Sequence, residues 1–349
     1  MERPIRVFIS YSHRDQELVD KLARIIKDAG MIALWSKNLS TGLPFGEEIK
    51  RFIEHAHVFM PVLTESAFSR GWVHQEIGYA IGLHIPIFPV TTEEIIESGM
   101  LQQLQTNKLS SDLEQLKSEL HIDKFKSLLR SETLPALYLK ANHVEDRAKM
   151  MKEYADNVSK VSESCQLNPF SVIRQKGGLS SFHIPDKPIA HADWTNRYAP
   201  ETRGQLHKKL QRAERVALYN HAIEEGCRLI INPYYSNLGR SSLAKNTRIS
   251  NLIEFLELMP ENKVVIAIQN LQTEIASLTM VGDWFLAESV SYRHGDGFTH
   301  TFFTRNASEI SKRIDEFEDE LADLLKELKW TEENSRDRAV QYLRGMLEE

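Results

Sequence analysis

Trp72 and Glu76 lie four residues apart in Ser69-Arg-Gly-Trp-Val-His-Gln-Glu-Ile77, a spacing that puts two side chains on one helical face, aimed at one cleft. A carboxylate held there can stabilise a developing positive charge. Taken alone, Glu76 reads as an exposed glutamate near a helix start, favoured by the macrodipole, and Trp72 equally as a core anchor. Tyr11 and Trp35 end two apolar runs, at the point where open α/β sheets bind ligands. Between them and the helix lies Leu39-Ser-Thr-Gly-Leu-Pro-Phe-Gly46. Gly42 and Gly46 let its backbone bend, Pro44 stiffens it, and Phe45 offers a stacking surface for a flat base or a hydrophobic plug.

The elements that must position these residues follow from periodicity. Arg6 to Ser12 reads as a buried strand, and Ser12 with Asp15 as a capping pair. Leu18, Val19, Leu22, Ile25 and Ile26 then share one helical face that ends near Gly30. Ile32 to Trp35 is a second strand, Glu47 to His55 a helix, Val58 to Leu63 a third strand, Gly71 to Leu83 a helix and Ile85 to Val90 a fourth strand. This alternation is that of a parallel sheet wrapped by helices. Residues 93–130 carry helical spacing, Leu134 to Leu139 is the candidate fifth strand, and His143 to Ser164 is again helix-like. The polar stretch from Ser162 to Pro169 is the expected domain junction.

Four segments, Val7-Phe-Ile-Ser-Tyr-Ser12, Leu39 to Gly46, Val58-Phe-Met-Pro-Val-Leu63 and Ser69 to Ile77, resemble the TIR domain in order and spacing. The resemblance spans about residues 4–160 and is strongest up to Val90. It implies a flavodoxin-like fold with a five-stranded parallel sheet. For many members it also implies cleavage of NAD+ into nicotinamide and ADP-ribose or a cyclic isomer. The WxxxE pattern of those enzymes matches Trp72 and Glu76, which makes Glu76 the implied catalytic residue. The implied substrate-binding residues are Tyr11, Trp35, Gly42, Phe45 and Trp72, and the loop from Leu39 to Gly46 corresponds to the segment that closes over the family's site. Breaking the nicotinamide–ribose bond develops positive charge on the sugar, which a carboxylate stabilises, and nicotinamide is a good leaving group. The chemistry needs no metal, thiol or cofactor, and NAD+ is the substrate. A dehydrogenase reading has no support, because the chain has no GxGxxG loop.

The chain of 349 residues carries 42% hydrophobic and 26% charged residues, which excludes collagen-like and disordered classes and leaves room for two domains. No apolar run approaches the ~20 residues that span a bilayer, and the N-terminus lacks a signal-peptide core, so a cytoplasmic protein without membrane contact is expected. Cys165 and Cys227 are too few for a disulfide framework or a metal site and read as buried small hydrophobes. Net charge −6 excludes a wholly nucleic-acid-binding surface.

Charge is uneven, however. Arg197 to Arg248 holds ten basic and four acidic residues, and Asn306 to Glu349 seven basic and thirteen acidic. Arg203, Lys208, Lys209, Arg212 and Arg215 fall on one long helix opposite Leu206, Leu210, Ala213 and Ala217. They could hold an anion or simply solvate that face. His207-Lys-Lys209 with Glu214 superficially matches HxKxxxxD, but the acid is Glu, the motif is single and it sits on a helix, so it reads as chance. Asp283, Glu288 and His294 are polar ends of strands and turns, more simply a structural network than a pocket. Leu278 to Val290 and Gly297 to Thr304 read as strands that pair across His294 to Gly297. Ile310, Ile314, Phe317, Leu321 and Leu324 read as the buried face of a late helix.

The expected architecture is therefore a TIR domain over 1–164, a mixed α/β regulatory domain over 165–329 and a helical segment over 330–349. The expected function is an NAD+-cleaving antiviral effector, activated when its TIR domains self-associate in response to an anionic or protein trigger at the second domain. A non-catalytic TIR scaffold is the alternative.

Overall fold

The computed structural model describes residues 4–35, 45–68, 71–91, 107–109, 113–131, 139–141, 146–154, 172–178, 201–234, 242–271, 276–291 and 298–348. The chain divides into two compact units, 1–137 with 305–309, and 138–304 with 310–349.

In the first unit, β1 (Arg6–Ser10), β2 (Ile32–Leu34), β3 (Val58–Leu63), β4 (Val90–Thr91) and β5 (Asn107–Lys108) form a parallel sheet in the order β2-β1-β3-β4-β5. β1 and β3 are buried throughout, as apolar runs in the middle of a parallel sheet must be. The helices are α1 (Gln16–Asp28), α2 (Phe45–His55), α3 (Glu65–Phe68), α4 (Gly71–Gly82), α5 (Leu113–Glu119) and α6 (Ile122–Ser131). α1 buries Val19, Leu22, Ala23, Ile25 and Ile26. It closes on Gly30 at φ 80°, with Met31 N–H donating to the Ile26 carbonyl and Gly30 N–H to that of Lys27, a Schellman motif.

The order of strand addition reverses between β1 and β3, where a crevice opens outside the carboxyl ends of the strands. Ser10 pairs there with Pro61. Pro61, Pro86 and Pro89 have no N–H to give to a ladder, and β3–β4 pairing survives only as an isolated Phe59–Ile87 bridge and the pairs from Val62 and Leu63 to β4.

Leu139 belongs elsewhere than expected. β6 (Leu139–Ala141) pairs with β12 in the second unit, and the fifth strand of the first sheet is Asn107–Lys108. An apolar run announces a strand but does not say which sheet completes it. The same pairing puts the compact division at 137–138, ahead of the junction expected near 164.

The second unit carries a helix over 146–154 (α7) and α8 (Glu201–Glu225), α9 (Ser242–Leu258), α10 (Ala307–Leu328) and α11 (Glu332–Glu348). Its strands are β6 with β7 (Ile173–Gly177), β8 (Cys227–Ile231), β9 (Val264–Ile268), β10 (Ala276–Val281), β11 (Phe285–Ser291) and β12 (Phe298–Thr304), in the order β6-β12-β11-β10-β7-β8-β9. β7, β8 and β9 are parallel and the rest antiparallel. The single strand expected over Leu278 to Val290 is two, because Gly282, at φ 52°, turns the chain. β12 pairs with β11 as expected, although His294 to Gly297 lie outside the described residues.

α10 packs Ile310, Ile314, Phe317, Leu321 and Leu325 on Ile230, Ala267, Met280 and Leu286, with Leu325 taking the fully buried place expected of Leu324. Its acidic surplus has partners: Glu318 binds Arg174 and Arg228, and Glu320 binds Lys176 and Gln269. α11 covers β9, whose Ile266 N–H donates to Ser335 Oγ at 3.2 Å, so this strand's open edge is shielded. No described helix is long and apolar enough to cross a membrane.

Gly226, at φ 95°, joins α8 to β8, and a Cβ there would meet the Lys263 carbonyl oxygen at 2.8 Å. At Gly30 a Cβ would meet nothing within 4 Å. Gly226→Ala is therefore expected to cost about 2–3 kcal/mol and Gly30→Ala about 1 kcal/mol, read as shifts in urea midpoints.

Candidate active site

α4 buries Val73, Glu76, Ile77 and Ala80, one helical stripe against the sheet. Glu76 is a member of that stripe and is only 8% exposed, so the surface-glutamate reading fails. Its Oε2 accepts a 2.6 Å hydrogen bond from the Ser10 hydroxyl, itself 2% exposed at the end of β1. Burial pushes the Glu76 carboxyl up to about 7, with the Ser10 hydrogen bond pulling in the other direction.

Above this contact lies a shallow recess. Phe8 and Ile9 contribute to it with Ser10, Tyr11, His13, Ile49, Trp72 and Glu76. Its shape is set by the loop that follows β1. Tyr11 Oη donates to Gln16 Oε1 at 2.6 Å, and Gln16 Nε2 to Asp20 at 2.9 Å. Ser12 makes no side-chain cap. A single 3₁₀ turn over His13–Asp15 leads into α1 instead. The Asp15 carboxylate is engaged across the crevice, accepting from Thr64 Oγ1 at 2.7 Å and Ser66 Oγ at 2.9 Å. The loop that carries Tyr11 and His13 is thereby tied to the end of β3.

Three of the residues expected at the site, Tyr11, Trp72 and Glu76, thus line one recess. Trp35 does not. It is 9% exposed in the core beyond β1, with the Lys27 ammonium 5.0 Å from its ring centroid. β2 lies on the far side of β1 from β3, so its end is one strand away from the crevice. Gly42 lies outside the described residues, and Phe45 is described only as the first residue of α2. Sequence reasoning missed Ser10, His13 and Ile49. The signal for Ser10 was a hydroxyl residue inside an otherwise apolar strand.

In the second unit, Glu288 is paired with Arg313 at 2.7 Å, and Asp283 is buried in the β10–β11 turn. α8 turns Glu214, Leu218, His221 and Ala222 inward, whereas Ala213 and Ala217 are only half-buried, and Glu214 is paired with Arg147 of α7. Lys209 is exposed and Arg215 half-buried, while the side chains of Arg203, Lys208 and Arg212 lie outside the described set. Burial pushes the Cys227 thiol up to about 12, so this cysteine is inert, as expected of a small hydrophobe. Cys165 lies outside the described residues.

A family profile described as "TIR domain" matches residues 7–128, the segment that holds the sheet and the recess. Residues 7–128 form a TIR domain. Among solved structures, the TIR domain of the Toll-related receptor TRR-2 from the lower metazoan Hydra magnipapillata is similar at 19% identity, covering 35% of this chain and 96% of that one, with a TM-score of 0.30. TrmBL2, an archaeal chromatin protein with a novel mode of DNA binding, is similar at 7% identity over 59% of this chain and 61% of that one, with a TM-score of 0.27. No curated protein matches the chain. The region after the TIR domain is assigned to no family.

Folding raises the Glu76 carboxyl from 4.5 to about 7, so between these values the folded protein binds more protons than the unfolded chain. The associated stability is fully present below pH 4.5 and is lost as pH rises through 7. Glu76→Gln keeps the shape and an acceptor for Ser10 but cannot ionise. From pH 5 to pH 8 the wild type is expected to lose about 2–3 kcal/mol relative to this variant, measured by urea unfolding at each pH.

Proposed function

We propose that the TIR domain cleaves NAD+ at the nicotinamide–ribose bond, with Glu76 as the catalytic carboxylate. The observation that carries this reading is an ionisable acid buried at the sheet's switch point between aromatic side chains. Such a placement costs stability at neutral pH and gives a folding core nothing that an apolar residue would not supply better.

The chemistry fits the residues. Tyr11 and Trp72 supply π-faces suited to a flat, positively charged nicotinamide ring. The recess is shallow, so in this reading it receives one end of the dinucleotide and leaves the remainder outside. As the C1′–N1 bond breaks, its electron pair leaves with neutral nicotinamide and positive charge appears on ribose C1′ and its ring oxygen. The Glu76 carboxylate stabilises that charge in a poorly solvated site, where its effect is strong. Water then adds at C1′ and loses a proton, which Glu76, titrating near 7, is suited to accept, giving ADP-ribose. Capture by an adenine nitrogen gives a cyclic isomer instead.

In this account the TIR domains self-associate and the second unit receives the trigger, an anionic ligand or a protein. Cleavage depletes NAD+ as a cytoplasmic antiviral response. What supports it is the union, in one chain, of a catalytic-type TIR recess with a unit of separate fold. A chain that destroys NAD+ must be held back until triggered, so low basal turnover is expected.

The purified 349-residue chain, assayed over a concentration series by chromatography with mass detection, is expected to release nicotinamide, with kcat/KM rising with pH through about 7 as Glu76 ionises. Glu76→Gln is expected to reduce release at least about a hundredfold. Equal turnover by the variant would reject the reading. Complete absence of turnover with self-association intact would favour a scaffold.

A further inference from the structure

We propose that Ser10 is a positioning residue for Glu76: its hydroxyl holds one carboxylate oxygen so that the other is the one offered to substrate. The inference rests on the reading of Glu76 as the residue that acts on NAD+.

The geometry points to it from both sides of the contact. Ser10 Oγ donates to Oε2 at 2.6 Å, a short hydroxyl hydrogen bond, and both residues are buried. Among the described residues this is the hydrogen bond that Glu76 makes, and it leaves Oε1 without one. A glutamate side chain has three rotatable bonds, and among the described residues Ser10 is the one that anchors its carboxylate. Ser10 cannot drift, because it is the last residue of β1, a central strand in register with β3 through Ser10 and Pro61. The contact therefore transfers the rigidity of the sheet to the one carboxylate of the recess.

The contact has an electrostatic side as well. A donor to the ionised form favours ionisation, so Ser10 opposes the effect of burial and keeps a working fraction of Glu76 charged near neutrality. The other titratable side chains that line the recess are Tyr11 and His13, both from the segment after β1. α4 adds Trp72 and α2 adds Ile49, neither of which titrates. The Glu54 carboxylate of α2 and the Tyr79 hydroxyl of α4 are bonded to each other at 2.5 Å.

The test uses the full chain with ¹³C at the glutamate side-chain carboxyls, the Glu76 signal being assigned by its loss in Glu76→Gln. Titration of the wild type and Ser10→Ala is followed by NMR, and the pH profile of nicotinamide release from NAD+ is measured on the same samples. Removing a charge-assisted hydrogen bond is expected to raise the Glu76 midpoint by about one pH unit and to move the kcat/KM profile with it, lowering turnover at pH 7 about fivefold. Ser10→Thr, which keeps the hydroxyl, is expected to hold the wild-type midpoint. A Glu76 midpoint that stays in place in Ser10→Ala overturns the proposal, as does a moved midpoint with an unmoved rate profile. If the midpoint moves while the wild type releases no nicotinamide at any pH, the positioning role of Ser10 stands and the NAD+ reading is the one that fails.

Discussion

The hydrogen bond from the Ser10 hydroxyl to the Glu76 carboxylate joins the tip of a central strand to the buried face of a helix, and the first unit is organised around that junction. A carboxylate with little access to water must be either neutral or specifically held, and one donor is what this site provides. Every element nearby helps to keep that donor in place. Burial of β1 on both faces fixes the height of Ser10. The switch in strand order opens a crevice where Ser10 ends, and the Asp15 contacts to Thr64 and Ser66 fasten the loop beyond it to the end of β3. Moving Glu76 one position back along α4, to the exposed place of Gln75, would aim it away from the stripe formed by Val73, Ile77 and Ala80.

Much of this was legible from residue order alone. The period of α1 and its Gly30 stop, the continuous apolar runs of β1 and β3, and the i, i+4 relation of Trp72 and Glu76 are local signals, and local signals read directly. What was not legible is whatever depends on the choice of partner. Leu139 sits in a strand-like run, but whether that run extends the first sheet or joins β12 is decided by contacts 160 residues away. Trp35 ends a strand just as Tyr11 does, yet strand order places one outside the recess and the other inside it. Asp15 looks like a capping acid in sequence and is in fact a tether, because Thr64, just after β3, and Ser66, in α3, reach its carboxylate. Ser10 carries only the weak signal of a hydroxyl closing an apolar run, which has meaning only once Glu76 is opposite it.

The second unit shows the same division. The helix period of α10 indicated its buried face, with the stripe stepping four residues from Leu321 to Leu325 where a step of three to Leu324 was expected. Part of the acidic surplus of the C-terminal region, Glu318 and Glu320, meets specific partners on the sheet, the residues Arg174, Arg228 and Lys176. On α8 the inward face carries Glu214 and His221 beside Leu218 and Ala222, so the polarity of this helix is not a simple front and back. Its inward acid is matched by Arg147 of α7.

A functional acid that strains its own fold should make activity and stability move in opposite directions, and this tests the account most directly. Wild type and Glu76→Gln are compared at pH 8 in one preparation each, by nicotinamide release and by urea unfolding. The account predicts that the variant is the more stable protein and the inactive one. A variant that still cleaves NAD+, or one that is destabilised at pH 8, would contradict it.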